Sequence, residues 1–377
     1  MSLSLCGLWT ALFLLLTSAT TEATRIMASD GATGSIKCLF SDIDGTMVHY
    51  YEDGANAPGL PEVISLPASL TGRMARISVE TLKLAARVRS SGARLVLVSG
   101  TRYSTFVKRL PYLPRADAYV IENGGRIFYP QGAATGDVET PKGEGGSTVD
   151  SSSGVPSDLA SAVGDPSLTA HPESALTEDL QWRSKMEGVT GPASQDAKKP
   201  EDREGPLWEL YRKAVSEGFE VDTNTYYTML RIKVKAGTST KKRGRDDAEG
   251  VGEDTENERG GEAAVKKLLD SLPSGLLVVT NFGLVDICPE LSGKHNAAAY
   301  IAAEHFGIPL ESCASMGDDD NDIALANTMG KGAFITTFSS ESVETAAKAN
   351  PKQFTVAKEE GVLSSEEMLR LILAACS

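Results

Sequence analysis

Two acids stand one residue apart in Asp42-Ile43-Asp44-Gly45-Thr46, directly after the apolar run IKCLFS. Open parallel sheets bind their ligands at the carboxyl ends of the strands. One acid placed there can attack or hold a metal while the other moves a proton. Gly45 lets the chain turn sharply behind them. Two ionised acids at a buried strand end are costly without a cation, which favours a functional reading over an acidic turn. A second cluster, Gly317-Asp318-Asp319-Asp320-Asn321-Asp322, follows the apolar run CASM and sets four carboxylates within five positions. Their repulsion predicts a hard cation with oxygen ligands. Two further segments carry weaker signals. Val98-Ser99-Gly100 ends an apolar run, and a hydroxyl followed by a backbone N–H can hold a phosphate oxygen. Ser292-Gly293-Lys294 opens a helical pattern, where a cation opposes the macrodipole and needs an anionic neighbour.

The elements that must position these groups alternate. IKCLFSD, ARLVLVSG and AYVIENGG read as strands buried on both faces. Ser78 caps the helix ISVETLKLAARVRS, which Gly92 ends. This rhythm predicts an open parallel sheet with helices on both faces. It stops, then resumes after Lys294 with HNAAAYIAAEHFG, CASMGD, DIALANTMG, GAFITT and ESVETAAKAN; Ser364 and Glu367 are expected to box the start of a last helix. Between lie PLWELYRKAVSEGF, a helix, and YYTMLRIKVK, GLLVVT and GLVDIC, strands of an α+β unit. Residues near 131–176 and 237–260 are too poor in large apolar groups to offset chain entropy, so disordered inserts are expected there.

Composition narrows the function. The 377 residues carry 37 basic and 51 acidic side chains, a net charge of −14. That disfavours nucleic acid and anionic membranes as partners. Five cysteines do not make a disulfide framework, and none of the four histidines has zinc spacing. Residues 1–23 contain LCGLWTALFLLLTSA, too short for a comfortable membrane span. It reads as a signal or targeting leader, with secretory or organellar destination; synthesis from Met27 would instead leave a cytoplasmic protein with no membrane span.

In that order, DIDGT, the strand-end Ser99, Lys294 and GDDDND resemble the four motifs of the haloacid dehalogenase superfamily, over 36–128 and 289–377. The insertion at 129–288 resembles the type-two cap of subclass IIB, the group of the Cof-like sugar phosphatases. The resemblance implies an α/β fold: a Rossmann-like parallel core with an inserted α+β cap. It implies Asp42 as nucleophile, Asp44 as general acid and base, and Ser99, Gly100, Lys294 and Asn321 as phosphate holders. It implies Mg2+ on Asp42, the backbone carbonyl of Asp44, and Asp318, with Asn321 and Asp322 completing the shell. The expected activity is a phosphatase for a small phosphorylated metabolite, most simply a sugar phosphate. A phosphomutase or a non-catalytic binding protein of the same fold are the alternatives. Three features depart from the pattern: His295 after Lys294, Arg102 one place late, and a long 50–76 segment expected near the mouth of the site. Trp182, Tyr226, Tyr227 and Arg231 are candidate cap contacts to substrate, with core packing as the competing reading of the aromatic residues.

Overall fold

The run after Ile36 becomes the middle of a sheet because both of its faces are apolar. In the computed structural model, which describes residues 34–51, 62–69, 72–131, 165–170, 175–233, 267–281 and 284–376, the strands in chain order are β1 (Cys38–Ser41), β2 (His49–Tyr50), β3 (Val63–Leu66), β4 (Ala75–Ser78), β5 (Arg94–Val98), β6 (Ala118–Ile121), β7 (Arg126–Pro130), β8 (Leu176–Glu178), β9 (Glu220–Asp222), β10 (Leu230–Lys233), β11 (Leu276–Asn281), β12 (Leu284–Pro289), β13 (Cys313–Gly317), β14 (Ala333–Ile335) and β15 (Phe354–Val356). Eight of them form one sheet in the order β15-β14-β13-β1-β5-β6-β7-β8.

Strand alternation divides the core in two. Leu39, Leu95, Leu97 and Tyr119 pack on one face, with the helices Val79–Ser90 and Val362–Ala375. Cys38, Phe40, Val96 and Val98 pack on the other, against Ala297, Ala298 and Leu325 of the helices Lys294–Tyr300 and Asp320–Thr328. This is the period-2 side-chain pattern of a doubly covered sheet. Ser78 caps its helix as expected, accepting from the Thr81 N–H at 2.9 Å.

The sheet is parallel from β15 to β6, whereas β7 and β8 run antiparallel at its edge. The short connection of residues 122–125 accounts for the reversal between β6 and β7, since so few residues cannot make a parallel crossover. β8 also moves the expected cap boundary. The segment after residue 129 does not leave the sheet for good, because Leu176–Glu178 pairs with β7 before the chain departs. Trp182 stays with the large sheet too: it is buried, tilts against Tyr300 at 4.8 Å, and donates Nε1–H to the Gly124 carbonyl at 2.8 Å. It is a core residue and not a substrate contact.

A second sheet, β11-β12-β10-β9, is wholly antiparallel. The helix Pro206–Ser216 covers it, burying Leu207, Trp208, Leu210 and Ala214 against Leu230, Ile232, Leu276 and Ile287. A third, β2-β4-β3, is built from the long segment after Asp44. The proposed leader and the 237–260 insert lie outside the described residues, as does most of the 131–176 insert. Among the described residues no helix is long and apolar enough to cross a membrane.

Trp182→Ala is expected to cost about 3–5 kcal/mol of stability through the cavity it leaves. Urea unfolding measures this, and an unchanged midpoint would refute its place in the core.

Candidate active site

The four chemical segments converge because β13, β1 and β5 are neighbours. Asp42 follows β1, Ser99 follows β5 and Asp318 follows β13. The pairing continues one residue past β1, with the Asp42 N–H donating to the Met316 carbonyl at 2.8 Å. The turn after Asp42 then closes on itself, the Gly45 N–H reaching the Val48 carbonyl at 2.7 Å. Gly45 has φ +87°, and a Cβ there would overlap the Asp318 carboxylate, so only glycine fits. Thr46 Oγ1 donates to Asp318 Oδ1 at 2.7 Å, tying the first segment to the last.

Asp42, Asp318 and Asp322 are all buried, and their ligand oxygens lie within 4.8 Å of one another. Lys294 answers the charge. Its ammonium donates to Asp42 Oδ1 (2.6 Å), Asp322 Oδ1 (2.7 Å) and Asn321 Oδ1 (2.9 Å), using all three hydrogens. The anionic neighbour that a lysine at a helix N-terminus requires is thus Asp42 and Asp322 together. Burial pushes the Asp42 carboxyl well above the usual carboxylate range; Lys294 opposes this, and Asp322 and Asp318 add to it. Burial, then the charge of Asp322, raises Asp318 to about 7, with Ser339 and Thr46 pulling the other way. Burial works against the Lys294 charge, but Asp322 and Asp42 more than offset it and hold the ammonium above its ordinary value.

The acidic run divides its labour. Asp318 and Asp322 point into the cluster, while Asp320 accepts from the hydroxyls of Ser340 and Ser342. Asp322 is heavily engaged: Oδ2 accepts the N–H groups of Asp318 (3.1 Å) and Asp319 (3.2 Å), and Oδ1 accepts Lys294. Such a donor set suits a divalent cation, because three buried carboxylates share one ammonium and the remaining charge is uncompensated within the cluster.

Asp44 turns away from this cluster. Its Oδ1 accepts Arg109 Nη1–H at 2.9 Å and the Tyr50 hydroxyl. Ser99 lies at the cavity wall with Gly100, its Oγ accepting the Thr101 N–H at 3.0 Å. The cavity encloses about 310 Å³ and is lined by Asp42, Asp44, Ser99, Gly100, Asp319 and Asn321, with Arg231 and Tyr226 facing them from the second sheet. Tyr227 lies in a neighbouring cavity instead, beside Thr223 and Asn224. Among the departures, Arg102 forms a bidentate pair with Asp222 (3.0 and 2.5 Å) and clasps the two sheets together. His295 sits half-buried at the start of its helix, where burial lowers its imidazole.

Sequence reasoning missed Tyr50, Arg109 and Asn123. Asn123 Nδ2 donates to Asp286 Oδ2 at 3.0 Å, and its Oδ1 accepts Asn321 Nδ2 at 3.3 Å. The signal for Asn123 was the Asn-Gly-Gly following a strand; φ +52° at Asn123 suits asparagine. No pattern marked Arg109.

A family model described as haloacid dehalogenase-like hydrolase matches residues 223–364. No curated protein matches the chain in sequence. Among solved structures, the sucrose-phosphatase of Synechocystis, in complex with sucrose and phosphate, is similar with a TM-score of 0.51 at 13% identity, over 90% of this chain and 98% of that one. A phosphatase of the superfamily from Bacteroides thetaiotaomicron is similar at a TM-score of 0.45 and 15% identity, over 93% of this chain and 100% of that one. DIDGT, Ser99 and GDDDND thus stand at adjacent strand ends of a sheet that carries an antiparallel insertion, and the haloacid dehalogenase-like hydrolase model matches the stretch that runs from that insertion back into the sheet, Lys294 and GDDDND included.

Proposed function

We propose that the protein is a Mg2+-dependent phosphatase that hydrolyses a small phosphorylated metabolite, most simply a sugar phosphate, through an aspartyl-phosphate. The unit built on the β11-β12-β10-β9 sheet is its cap. The observation that carries the reading is Asp42, buried at a strand end, held on Oδ1 by Lys294 and opening onto the cavity. Asp42 attacks phosphorus as the ester P–O bond breaks, and Asp44 gives its proton to the leaving oxygen. Asp44 then takes a proton from the water that splits the acyl phosphate. Ser99, the backbone N–H groups after it, Asn321 and Lys294 hold the phosphoryl oxygens. Asp42, Asp318 and the Asp44 carbonyl would hold the cation, which supplies charge neutralisation for the approaching dianion. Asp322 holds Lys294 and the N-terminus of the Asp320–Thr328 helix in place.

Asp42→Asn is expected to lower phosphate release to below about 1% of the parent, since the amide is nearly isosteric but a poor nucleophile. The melting temperature serves as the control for folding. Retained turnover would remove Asp42 from the mechanism.

A second expectation follows from Asp318. Its folded carboxyl, raised to about 7, keeps a proton that the unfolded chain gives up at lower pH. The metal-free protein is therefore stabilised by this group at low pH and loses that stabilisation as pH rises through about 7. A cation must displace the proton, so the gain in melting temperature on adding Mg2+ should be larger at pH 8 than at pH 6. Melts in chelator and in Mg2+ at both pH values measure it. A gain that is equal at the two, or absent, would argue against a metal at this cluster.

A further inference from the structure

A general acid works only if its proton reaches the leaving oxygen, so it must be held as well as supplied. Asp44 is gripped through Oδ1. That oxygen accepts Arg109 Nη1–H at 2.9 Å and the Tyr50 hydroxyl, and the same Nη1 donates to the Tyr50 oxygen at 3.1 Å. The three groups close a triangle whose hydrogens run one way. A guanidinium only donates, so the Tyr50 oxygen accepts from Arg109 and its own proton points to Asp44. Oδ1 then receives two donors and keeps no place for a proton. The acid form of Asp44 must carry its hydrogen on Oδ2, and Asp44 lines the same cavity as Asp42.

Arg109 is itself fixed from behind. It ends the Tyr103–Arg109 helix that follows Ser99 and Gly100, and its side chain is 3% exposed. Nε donates to the Pro67 carbonyl at 3.2 Å and Nη2 to the Arg73 carbonyl at 3.4 Å. Both carbonyls belong to the turn between β3 and β4, where the Ser69 N–H reaches the Arg73 carbonyl at 3.1 Å and Ser69 Oγ accepts the Arg73 N–H at 3.2 Å. Tyr50 ends β2, which pairs with β4, and the Arg73 guanidinium lies 3.9 Å from the centroid of its ring. A pair that only balanced charge would need one contact. Here a rigid fork is spread over a carboxylate, a phenol and two carbonyls, which fixes an orientation as well as a charge. The long segment after Asp44, which builds the β2-β4-β3 sheet, thus returns to frame the acid it follows.

We infer that Arg109 and Tyr50 are positioning residues that hold Asp44 through Oδ1, so that Oδ2 presents its proton to the leaving oxygen, with the β3–β4 turn as the frame behind Arg109. This rests on the phosphatase reading above, and within it on Asp44 as the general acid. As the ester P–O bond breaks, its electron pair stays on the leaving oxygen and takes the Oδ2 proton. The carboxylate left on Asp44 then lies beside the Arg109 charge.

Leaving groups that differ in their need for a proton read the positioning. The para-nitrophenolate anion departs without one, whereas benzyl alkoxide does not. With the whole protein and Mg2+, kcat/KM is measured on para-nitrophenyl phosphate and on benzyl phosphate for the parent, Asp44→Asn, Tyr50→Phe and Arg109→Lys. Tyr50→Phe keeps the ring and removes the hydroxyl; Arg109→Lys keeps the charge and loses the fork. Each of the two should lose about 10-fold or more on benzyl phosphate beyond its loss on the nitrophenyl ester, in the direction set by Asp44→Asn. A merely structural role would lower both esters alike. Should Arg109→Lys fail to fold, as its melting temperature will show, Tyr50→Phe decides. Equal losses on the two esters in Tyr50→Phe, or no loss on either, would overturn the positioning and leave the phosphatase reading standing. A ratio in Asp44→Asn equal to the parent's would remove Asp44 as the acid, and the inference with it. No phosphate release from either ester by the parent would overturn the phosphatase reading as well.

Discussion

Three buried carboxylates around one ammonium set the terms for everything else in this protein. Asp42, Asp318 and Asp322 share so small a volume with Lys294 spending its three hydrogens on Asp42, Asp322 and Asn321, and with the Thr46 and Ser339 hydroxyls donating to Asp318. The backbone is shaped to the same end. β1 and β13 must be adjacent for Asp42 and Asp318 to meet, and a Cβ on Gly45 or Gly317 would strike Asp318 or Asp322. Three carboxylates against one ammonium are a donor set that suits a divalent cation.

The second constraint is the seam between the two sheets. Glu122 accepts the N–H groups of Tyr227 (2.9 Å) and Thr228 (2.7 Å) and the Thr228 hydroxyl, while Ser104 bonds Thr225 across the same seam. Glu122, Asn123 and Thr225 all have positive φ, a conformation that non-glycine residues hold only where their surroundings impose it. One hydrogen-bonded chain crosses the seam from Arg231 through Asp286, Asn123 and Asn321 to Lys294. A contact made on the second sheet is thus linked, through hydrogen-bonded side chains, to the ammonium beside Asp42.

Several elements were readable from residue order alone. The β1 run, the Ser78-capped helix and the acidic cluster behind CASM each combine a local pattern with a local consequence, and each appears where its pattern puts it. The box expected from Ser364 and Glu367 does not form. The helix opens earlier, at Val362, because Ser364 Oγ donates to the Gly361 carbonyl at 2.6 Å and Glu367 instead accepts the N–H groups of Lys358 and Glu359 (2.8 and 3.0 Å). β8 escaped notice because three residues at a sheet edge have too little periodicity to read.

By itself the sequence marked the groups, the carboxylates and the hydroxyl that end apolar strands and the lysine that opens a helix, since charge beside an apolar run is a local and costly feature. Tertiary structure alone decided the company those groups keep. Arg109 lies 65 positions from Asp44, and Asp222 lies 120 positions from Arg102. Neither pair leaves a trace in spacing, because an ion pair between distant segments depends on how sheets and turns pack, and side-chain type carries no record of its partner.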